Sequence, residues 1–284
     1  MRGRPFSRAM KAALILNPRA GRMAQMGAPR AAIEAAMRAA GFVPIPVPDG
    51  SLDAQWGVAQ GAEAVFICGG DGTLRGFAAR LMQAGLPVAP LPGGTMNRVC
   101  ARMGLPDDPV AAAALYRPGP AEPLAVALLN GEPLLYQSLV GRPARMLRFR
   151  EMQRDGGSWW PLLQAMLRAL FRAPWRDVTV PVGGQSRATG LAAVVTLPAP
   201  GEEPALHLQL VRARGPLARL RQGWAWFRGR LGEDSAVLTL HAPRFVVHGR
   251  ARRMRVSLDG ETRTMAPPLR YRLRHAGLRV LPRA

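Results

Sequence analysis

Three short apolar runs near the start of the chain each lead into a turn of small, glycine-bearing residues, and nothing else constrains the fold so tightly. Ala64, Val65, Phe66, Ile67 and Cys68 run directly into Gly69-Gly70-Asp71-Gly72-Thr73. A run of this length, rich in β-branched and aromatic residues, predicts a buried strand, and Thr73 to Ala84 reads as the helix that follows it. Pro87 to Pro92 predicts another strand, with Gly93-Gly94 as its turn and Thr95 as N-cap of a helix carrying Met96, Val99, Cys100 and Met103 on one side. Ala12 to Leu16 predicts the third, followed by Asn17-Pro18-Arg19-Ala20-Gly21-Arg22. In a parallel sheet with right-handed crossovers, all three turns emerge at the carboxyl ends of their strands, where open α/β sheets bind ligands. They can therefore converge on one ligand.

The turn chemistry suits a phosphate. Glycines admit positive φ and let a ligand approach the backbone closely, while the N–H groups and dipole of the next helix favour an anion. Asp71 complicates this, because a carboxylate facing phosphates repels them unless a cation intervenes or the side chain meets sugar hydroxyls. A Mg-nucleotide meets both conditions. Taken alone, Gly69 to Thr73 is equally consistent with a tight strand-to-helix turn in which Thr73 is the N-cap. Neither the dinucleotide fingerprint Gly-x-Gly-x-x-Gly nor the Gly-Lys-Ser/Thr of a Walker loop is present at these turns.

Asn17-Pro-Arg-Ala-Gly, Gly69-Gly-Asp-Gly-Thr, Pro92-Gly-Gly-Thr-Met-Asn97 and Asp259-Gly-Glu261, in this order and at these separations, resemble the diacylglycerol kinase catalytic-domain family of lipid kinases, which includes soluble bacterial members and the sphingosine kinases. The resemblance extends through Arg148-Phe-Arg-Glu-Met-Gln-Arg to the Pro267-Pro-Leu-Arg-Tyr stretch. Gly-Gly-Asp-Gly alone is shared with NAD kinases and, more distantly, phosphofructokinases; Asp259-Gly-Glu261 favours the lipid branch. The resemblance implies that Asn17, Pro18, Arg19, Ala20 and Gly21 form a first nucleotide loop. It makes Gly69, Gly70, Asp71, Gly72 and Thr73 the phosphate loop and Gly94, Thr95 and Asn97 further ATP contacts. Glu261 matches the catalytic proton acceptor, with Asp259 and Asp71 in support, and the cofactors implied are ATP and Mg²⁺. A lipid hydroxyl is a poor nucleophile unless a base accepts its proton, and a carboxylate can do so. Asp259-Gly260 is also a favoured turn dipeptide, which predicts a hairpin from Arg253–Leu258 to a strand at Leu269–Leu273. Both roles can hold together.

Some positions depart from the family pattern. Asn97-Arg98 stands where many members carry Asn-Asp, and Arg75-Gly76 stands where a polar residue usually follows the phosphate loop. Members with a structural magnesium site place acids on a second-domain loop, which here reads Pro200-Gly201-Glu202-Glu203-Pro204. The proline alters that backbone, so no metal ligands are assigned.

The chain of 284 residues, 48% of them hydrophobic, is long enough for one large domain or two ordinary ones with real cores. Strand and helix patterns alternate through Tyr116 and give way at Arg117-Pro-Gly-Pro120 to strands. These are expected at Leu124–Leu129 and Leu134–Val140, joined by an Asn130-Gly131 turn, and then at Asp177–Val182, Leu191–Leu197, Leu206–Val211, Ala236–Leu240 and Phe245–His248. The expected fold is α/β, with a Rossmann-like parallel nucleotide domain over residues 1–120. A mostly antiparallel β-sandwich follows over residues 121–284, its final residues returning to the first domain and the active site in the interdomain cleft. Cys68 and Cys100 are too few for a disulfide framework. His207, His241, His248 and His275 show no metal-binding spacing.

The formal charge of +21 is carried almost wholly by arginine, since Lys11 is the single lysine. Two segments concentrate it beside apolar stripes: Trp159, Leu163, Met166, Leu170 and Phe171 next to Arg168 and Arg172, and Leu217, Leu220, Trp224, Phe227 and Leu231 next to Arg219, Arg221, Arg228 and Arg230. Each stripe either packs on the β domain and leaves its arginines solvated, which is commoner for a single helix, or meets an anionic membrane surface. No apolar run approaches the ~20 residues needed to span a bilayer. These features lead to the expectation of a cytoplasmic lipid kinase, peripheral on the inner face of the membrane, acting on a lipid alcohol without specific nucleic-acid recognition. The alternatives are an NAD kinase-like phosphotransferase and a catalytically inactive basic protein binding membrane or nucleic acid.

Overall fold

The structure, a computed structural model, describes residues 10–21, 23, 29–141, 178–183, 186–199, 201–212, 215–228 and 230–284. The Arg148 to Arg154 stretch and the Trp159 to Phe171 stripe lie outside the described residues. Two compact units are present: residues 1–126, 199–201 and 274–284 belong to one, and residues 127–198 and 202–273 to the other.

In the first unit, β1 (Met10–Leu16), β2 (Phe42–Pro44), β3 (Ala64–Gly69) and β4 (Val88–Pro92) form a parallel sheet in the order β2-β1-β3-β4. Every residue of β3 is buried, as expected of a central strand covered on both faces. The chain steps outward from β1 to β2, then back past β1 to β3 and on to β4. With right-handed crossovers, α1 (Pro29–Ala39) lies on one face, and α2 (Leu52–Ala59) and α3 (Asp71–Ala84) on the other. Trp56 of α2 accordingly stacks on Phe77 of α3 with ring centroids 5.5 Å apart. The strand order reverses between β1 and β3, so the carboxyl ends of those two strands flank the topological switch point. Helices α4 (Arg98–Arg102) and α5 (Pro109–Leu115) follow β4. Phe66 of β3 meets the rings of Phe42 and Tyr116 edge-on, at 5.0 and 5.7 Å. The fully buried Tyr116 hydroxyl donates to the Pro90 carbonyl of β4 at 2.9 Å, and burial pushes its phenol well above the ordinary tyrosine range.

The second unit is mostly antiparallel. A six-stranded sheet runs β12 (Val237–Ala242), β11 (Leu206–Val211), β10 (Ala192–Thr196), β7 (Gln137–Gly141), β14 (Met254–Leu258), β15 (Glu261–Met265). Leu139, Ala192, Val194, Val211 and Leu231 form a buried cluster, against which Ala218 of α6 (Pro216–Phe227) is packed. A second ladder joins β9 (Arg187–Gly190), β8 (Val178–Pro181), β13 (Arg244–Gly249) and the first half of β16 (Leu269–Val280). Between β5 (Glu122–Leu129) and β6 (Glu132–Leu134), Asn130 and Gly131 form the expected two-residue turn, at φ 48° and 92°.

Three expectations are corrected. The strand expected over Leu134–Val140 is divided between β6 and β7, because the amides of Leu135, Tyr136 and Gln137 donate to the Asp259 carboxylate instead of to a neighbouring strand. The hairpin that starts at β14 closes on β15, not on Leu269–Leu273, because Asp259 and Gly260, at φ 50° and 93°, complete a two-residue turn by themselves. Finally, the Leu217, Leu220 and Trp224 stripe does not pack on the sheet: all three are exposed, and Leu231 of that set enters the core. The face of α6 turned inward instead carries the buried Arg219 and Gln222, with Gln222 and Arg221 bonded to Asp234.

Tyr116→Phe leaves the Pro90 carbonyl without its buried partner and is expected to lower stability by about 1–3 kcal/mol, read as a lower urea midpoint at unchanged m-value.

Candidate active site

The three glycine-bearing turns are joined to one another by hydrogen bonds. The Asn17 amide donates to the Cys68 carbonyl at 3.0 Å, and its side-chain Nδ2 donates to the Thr73 hydroxyl at 2.8 Å, linking the first turn to the second. Asn17 Oδ1 also accepts from the Arg19 amide at 3.0 Å, shaping its own loop. The second turn is linked to the third by the Gly93 amide, which donates to the Gly69 carbonyl at 2.9 Å. The approach is so close that a Cβ on Gly94 would lie 2.5 Å from the Gly70 Cα. Asn97 closes the third turn, accepting from the Gly94 amide at 2.8 Å and donating to its carbonyl at 3.0 Å.

Asp71 holds the assembly together from within. One carboxylate oxygen accepts from the Arg98 amide at 3.0 Å and the other from the Val99 amide at 2.9 Å. The first residue of α3 thus caps the start of α4, where Asn97 sits at φ 45° and makes no capping bond of its own to the helix. This orientation resolves the expected conflict between Asp71 and a phosphate, since the carboxylate is directed at N–H groups of another helix. The first N–H groups of α3 have no carbonyl within the helix to bond, so Gly70, Asp71 and Gly72 present the positive end of a 14-residue helix.

Both expected N-caps are displaced. Gly70, not Thr73, precedes α3, because the helix starts with Asp71, while Thr73 lies in the first turn and receives Asn17. Asn97, not Thr95, precedes α4; Thr95 is exposed, and Met96, expected on the same helix side as Val99, Cys100 and Met103, lies before the helix and is 53% exposed. Val99, Cys100 and Met103 are buried as expected. Pro18, Arg19 and Gly21 are exposed on the first loop and Ala20 is buried. Arg98 is exposed on α4, whereas Arg75 is buried in α3.

The Asp259-Gly260-Glu261 motif lies in the second unit. Asp259 Oδ2 accepts from the Leu135 amide at 2.9 Å, and Oδ1 accepts from the Tyr136 and Gln137 amides at 2.7 and 3.0 Å. Its own amide donates to the Gln137 carbonyl at 2.9 Å. The hairpin tip is therefore fastened to the start of β7. Glu261, the first residue of β15, is paired with Leu258 across the turn. Its carboxylate is about half exposed and receives Arg263 at 3.4 Å. Beneath this sheet region the buried Ser138 and Tyr271 hydroxyls are 2.9 Å apart.

Glu202 and Glu203 are exposed on the loop between β10 and β11. His207 and His241, which sequence spacing did not bring together, are cross-strand partners with rings stacked 4.4 Å apart. Among the described residues no cluster of three or more His, Cys, Asp or Glu side chains could hold a metal. Sequence reasoning missed the cap on α4 and the clasp on β7. The available signal was a helix start with no acid in its first turn, which must find its acceptor elsewhere.

Asp71→Ala removes both acceptors from α4 and is expected to lower stability by about 1–2 kcal/mol. Gly94→Ala forces two backbones apart and should cost more, about 2–4 kcal/mol. Thermal unfolding of the two variants tests this order. Cys68 and Cys100 behind the turns have thiols pushed up to about 12, first by burial. Folding therefore favours the neutral thiols, and their contribution is complete below the unfolded thiol range near pH 9. It declines as pH rises above that value, by up to about 1.4 kcal/mol per pH unit for each thiol. Urea unfolding between pH 8 and roughly pH 10 should show this loss, reduced in a Cys68→Ala, Cys100→Ala variant.

Comparison with known proteins places this geometry. Residues 11–129 match the family described as diacylglycerol kinase catalytic domain. An uncharacterized protein of Synechocystis sp. is 33% identical over 100 residues, which are 34% of this chain and 23% of that protein, so the match spans about a quarter of the relative's length. Two structures of a candidate diacylglycerol kinase from Bacillus anthracis str. Sterne superpose with TM-scores of 0.69 and 0.68, at 20% and 19% identity, over 96% of this chain and 97% of theirs. A third, named as a diacylglycerol kinase from the same strain, gives 0.62 at 18% identity over 96% of each chain. At these identities the structural likeness establishes the fold, a parallel α/β unit followed by antiparallel sheet. The three joined turns all lie within residues 11–129, the stretch that is similar to the diacylglycerol kinase catalytic domain family.

Proposed function

We propose that this protein is an ATP-dependent lipid kinase, transferring the γ-phosphoryl group of Mg-ATP to a primary hydroxyl of a diacylglycerol- or sphingoid-type membrane lipid. The observation that carries the reading is the joining of the Asn17, Gly69–Thr73 and Gly93–Asn97 turns, at the carboxyl ends of their strands, in the stretch that is similar to this family. Turns without Cβ atoms at their closest approach bring backbone N–H groups within reach of phosphate oxygens, so the residues present fit a triphosphate. Mg²⁺ bound with the nucleotide supplies charge neutralisation at the β- and γ-phosphates. Asn17 fixes the first loop against Thr73, and Asp71 keeps the start of α4 in place beside the second turn.

In the transfer, the acceptor oxygen bonds to the γ-phosphorus, the bond from the γ-phosphorus to the bridging oxygen breaks, and ADP leaves with that electron pair. Glu261 accepts the hydroxyl proton. Asp259, with its carboxylate engaged by three backbone amides, holds the Glu261 hairpin and is the positioning residue for that base. The acceptor lipid lies in a membrane, so the protein works at the bilayer surface; among the described residues no helix is long and apolar enough to cross one.

The test is radiolabelled ATP with Mg²⁺ offered alongside a panel of lipid alcohols and NAD. One lipid is expected to be labelled by the wild type. Glu261→Gln should lower turnover roughly 10²–10⁴-fold with ATP affinity nearly unchanged. Asp259→Asn should lower kcat about tenfold, leaving KM for ATP in place. Labelling of NAD instead of any lipid would overturn the acceptor, and equal labelling by wild type and Glu261→Gln would remove Glu261 from its role.

A further inference from the structure

Helix α6 is turned the wrong way for a helix of an isolated soluble domain. Six large apolar side chains are exposed among the described residues, and three of them, Leu217 at 82%, Leu220 at 55% and Trp224 at 58%, belong to this one helix. At about 100° per residue they fall on a single narrow stripe, while Ala218, Arg219 and Gln222 fall on the opposite, buried side. Asp234 fixes that rotation. Its side chain is nearly buried, accepts from Arg221 Nε and Nη2 at 2.8 and 3.1 Å and from Gln222 Nε2 at 3.3 Å, and is held below the usual carboxylate range, first by the Arg221 hydrogen bond. The helix cannot roll its leucines inward without breaking these bonds.

Charge identifies what the stripe meets. From Arg212 to Arg230 the sequence holds six arginines and no acid. Arg221 and Arg228 lie beside the stripe on the helical wheel, and the Arg228 guanidinium rests over the Trp224 ring, 4.9 Å from its centre. Two copies meeting through this face would oppose arginine with arginine within chains of net charge +21. Phospholipid supplies the complement, acyl chains for the leucines and anionic phosphates for the arginines, and tryptophan is suited to the boundary between them.

We propose that the outer face of α6 docks this protein on an anionic phospholipid bilayer, with Leu217, Leu220 and Trp224 entering the acyl boundary and Arg228 meeting lipid phosphates. The proposal rests on the lipid-kinase reading for its purpose but is tested without turnover. The full chain is sedimented with phosphatidylcholine vesicles with and without phosphatidylglycerol. Binding is expected only with the anionic lipid. It should weaken with salt and fall roughly tenfold or more in a Leu217→Ser, Leu220→Ser, Trp224→Ser variant, whose unfolding midpoint stays near wild type because the replaced side chains are exposed. Cys68 and Cys100 are buried, so a Leu217→Cys variant takes a polarity-sensitive thiol probe at one place, and its emission should shift blue when anionic vesicles are added. Undiminished sedimentation of the triple variant, or a probe unmoved by anionic vesicles, overturns the proposal. So does a probe already in apolar surroundings without lipid; rising mass on concentration would then identify a second copy as the occupant, and constant mass would identify this chain itself. Turnover separates the two readings: with a lipid alcohol dispersed in detergent the triple variant should match wild type, and with the same alcohol in anionic vesicles it should fall. Absence of turnover in both formats would defeat the kinase reading while the sedimentation result still decides the docking.

Discussion

Two hydrogen bonds from the Asp71 carboxylate to the amides of Arg98 and Val99 hold the candidate phosphate cradle in register. A turn of glycines cannot define its own shape, because the freedom that lets a ligand approach also lets the backbone wander. Here the order is imposed by side-chain hydrogen bonds, with one acid joining two helices and Asn17 and Thr73 joining two loops. The charge that would otherwise oppose a phosphate is directed into the start of α4, so structural and electrostatic needs are met by one side chain.

The same device recurs in the second unit. Asp259 occupies a turn position at φ 50° and gathers three successive amides at the break between β6 and β7, far away in sequence. In both places a carboxylate beside a glycine serves the backbone, and the residue two positions beyond Asp259 is left with a carboxylate that solvent reaches. An acid with three backbone donors is a fixed anchor, whereas Glu261, with Arg263 as an exposed partner, retains the accessibility that the proposed proton transfer demands.

Much of this was legible from the chain. The run Ala64 to Cys68 and the run Leu206 to Val211 became strands where their apolar patterns put them, because local burial dictates both. The glycine turns were legible as turns, and the two-residue hairpins at Asn130-Gly131 and Asp259-Gly260 follow from positive φ alone. The helix starts were misplaced because Thr73 and Thr95 are good local caps, yet the acceptor that α4 uses is 27 residues earlier in the sequence. The break between β6 and β7 was hidden for the same reason, its cause lying more than 120 residues ahead. Period alone located the stripe on α6 but not its direction, which is set by Asp234 beyond the helix end.

The strand β16 carries a consequence for how the chain can be divided. After pairing with β13, it ends with Val280 beside Val88, and Leu281, Arg117 and Ala284 then form backbone bonds that bind residues 281–284 to β4 and to the end of α5. The sheet that bears the glycine turns is thus bordered by residues far from it in sequence. Excising the segment that matches the catalytic domain would leave the β4 border open to pairing with other chains. The unit that bears the glycine turns is a discontinuous module, so no single continuous segment of the chain contains it whole.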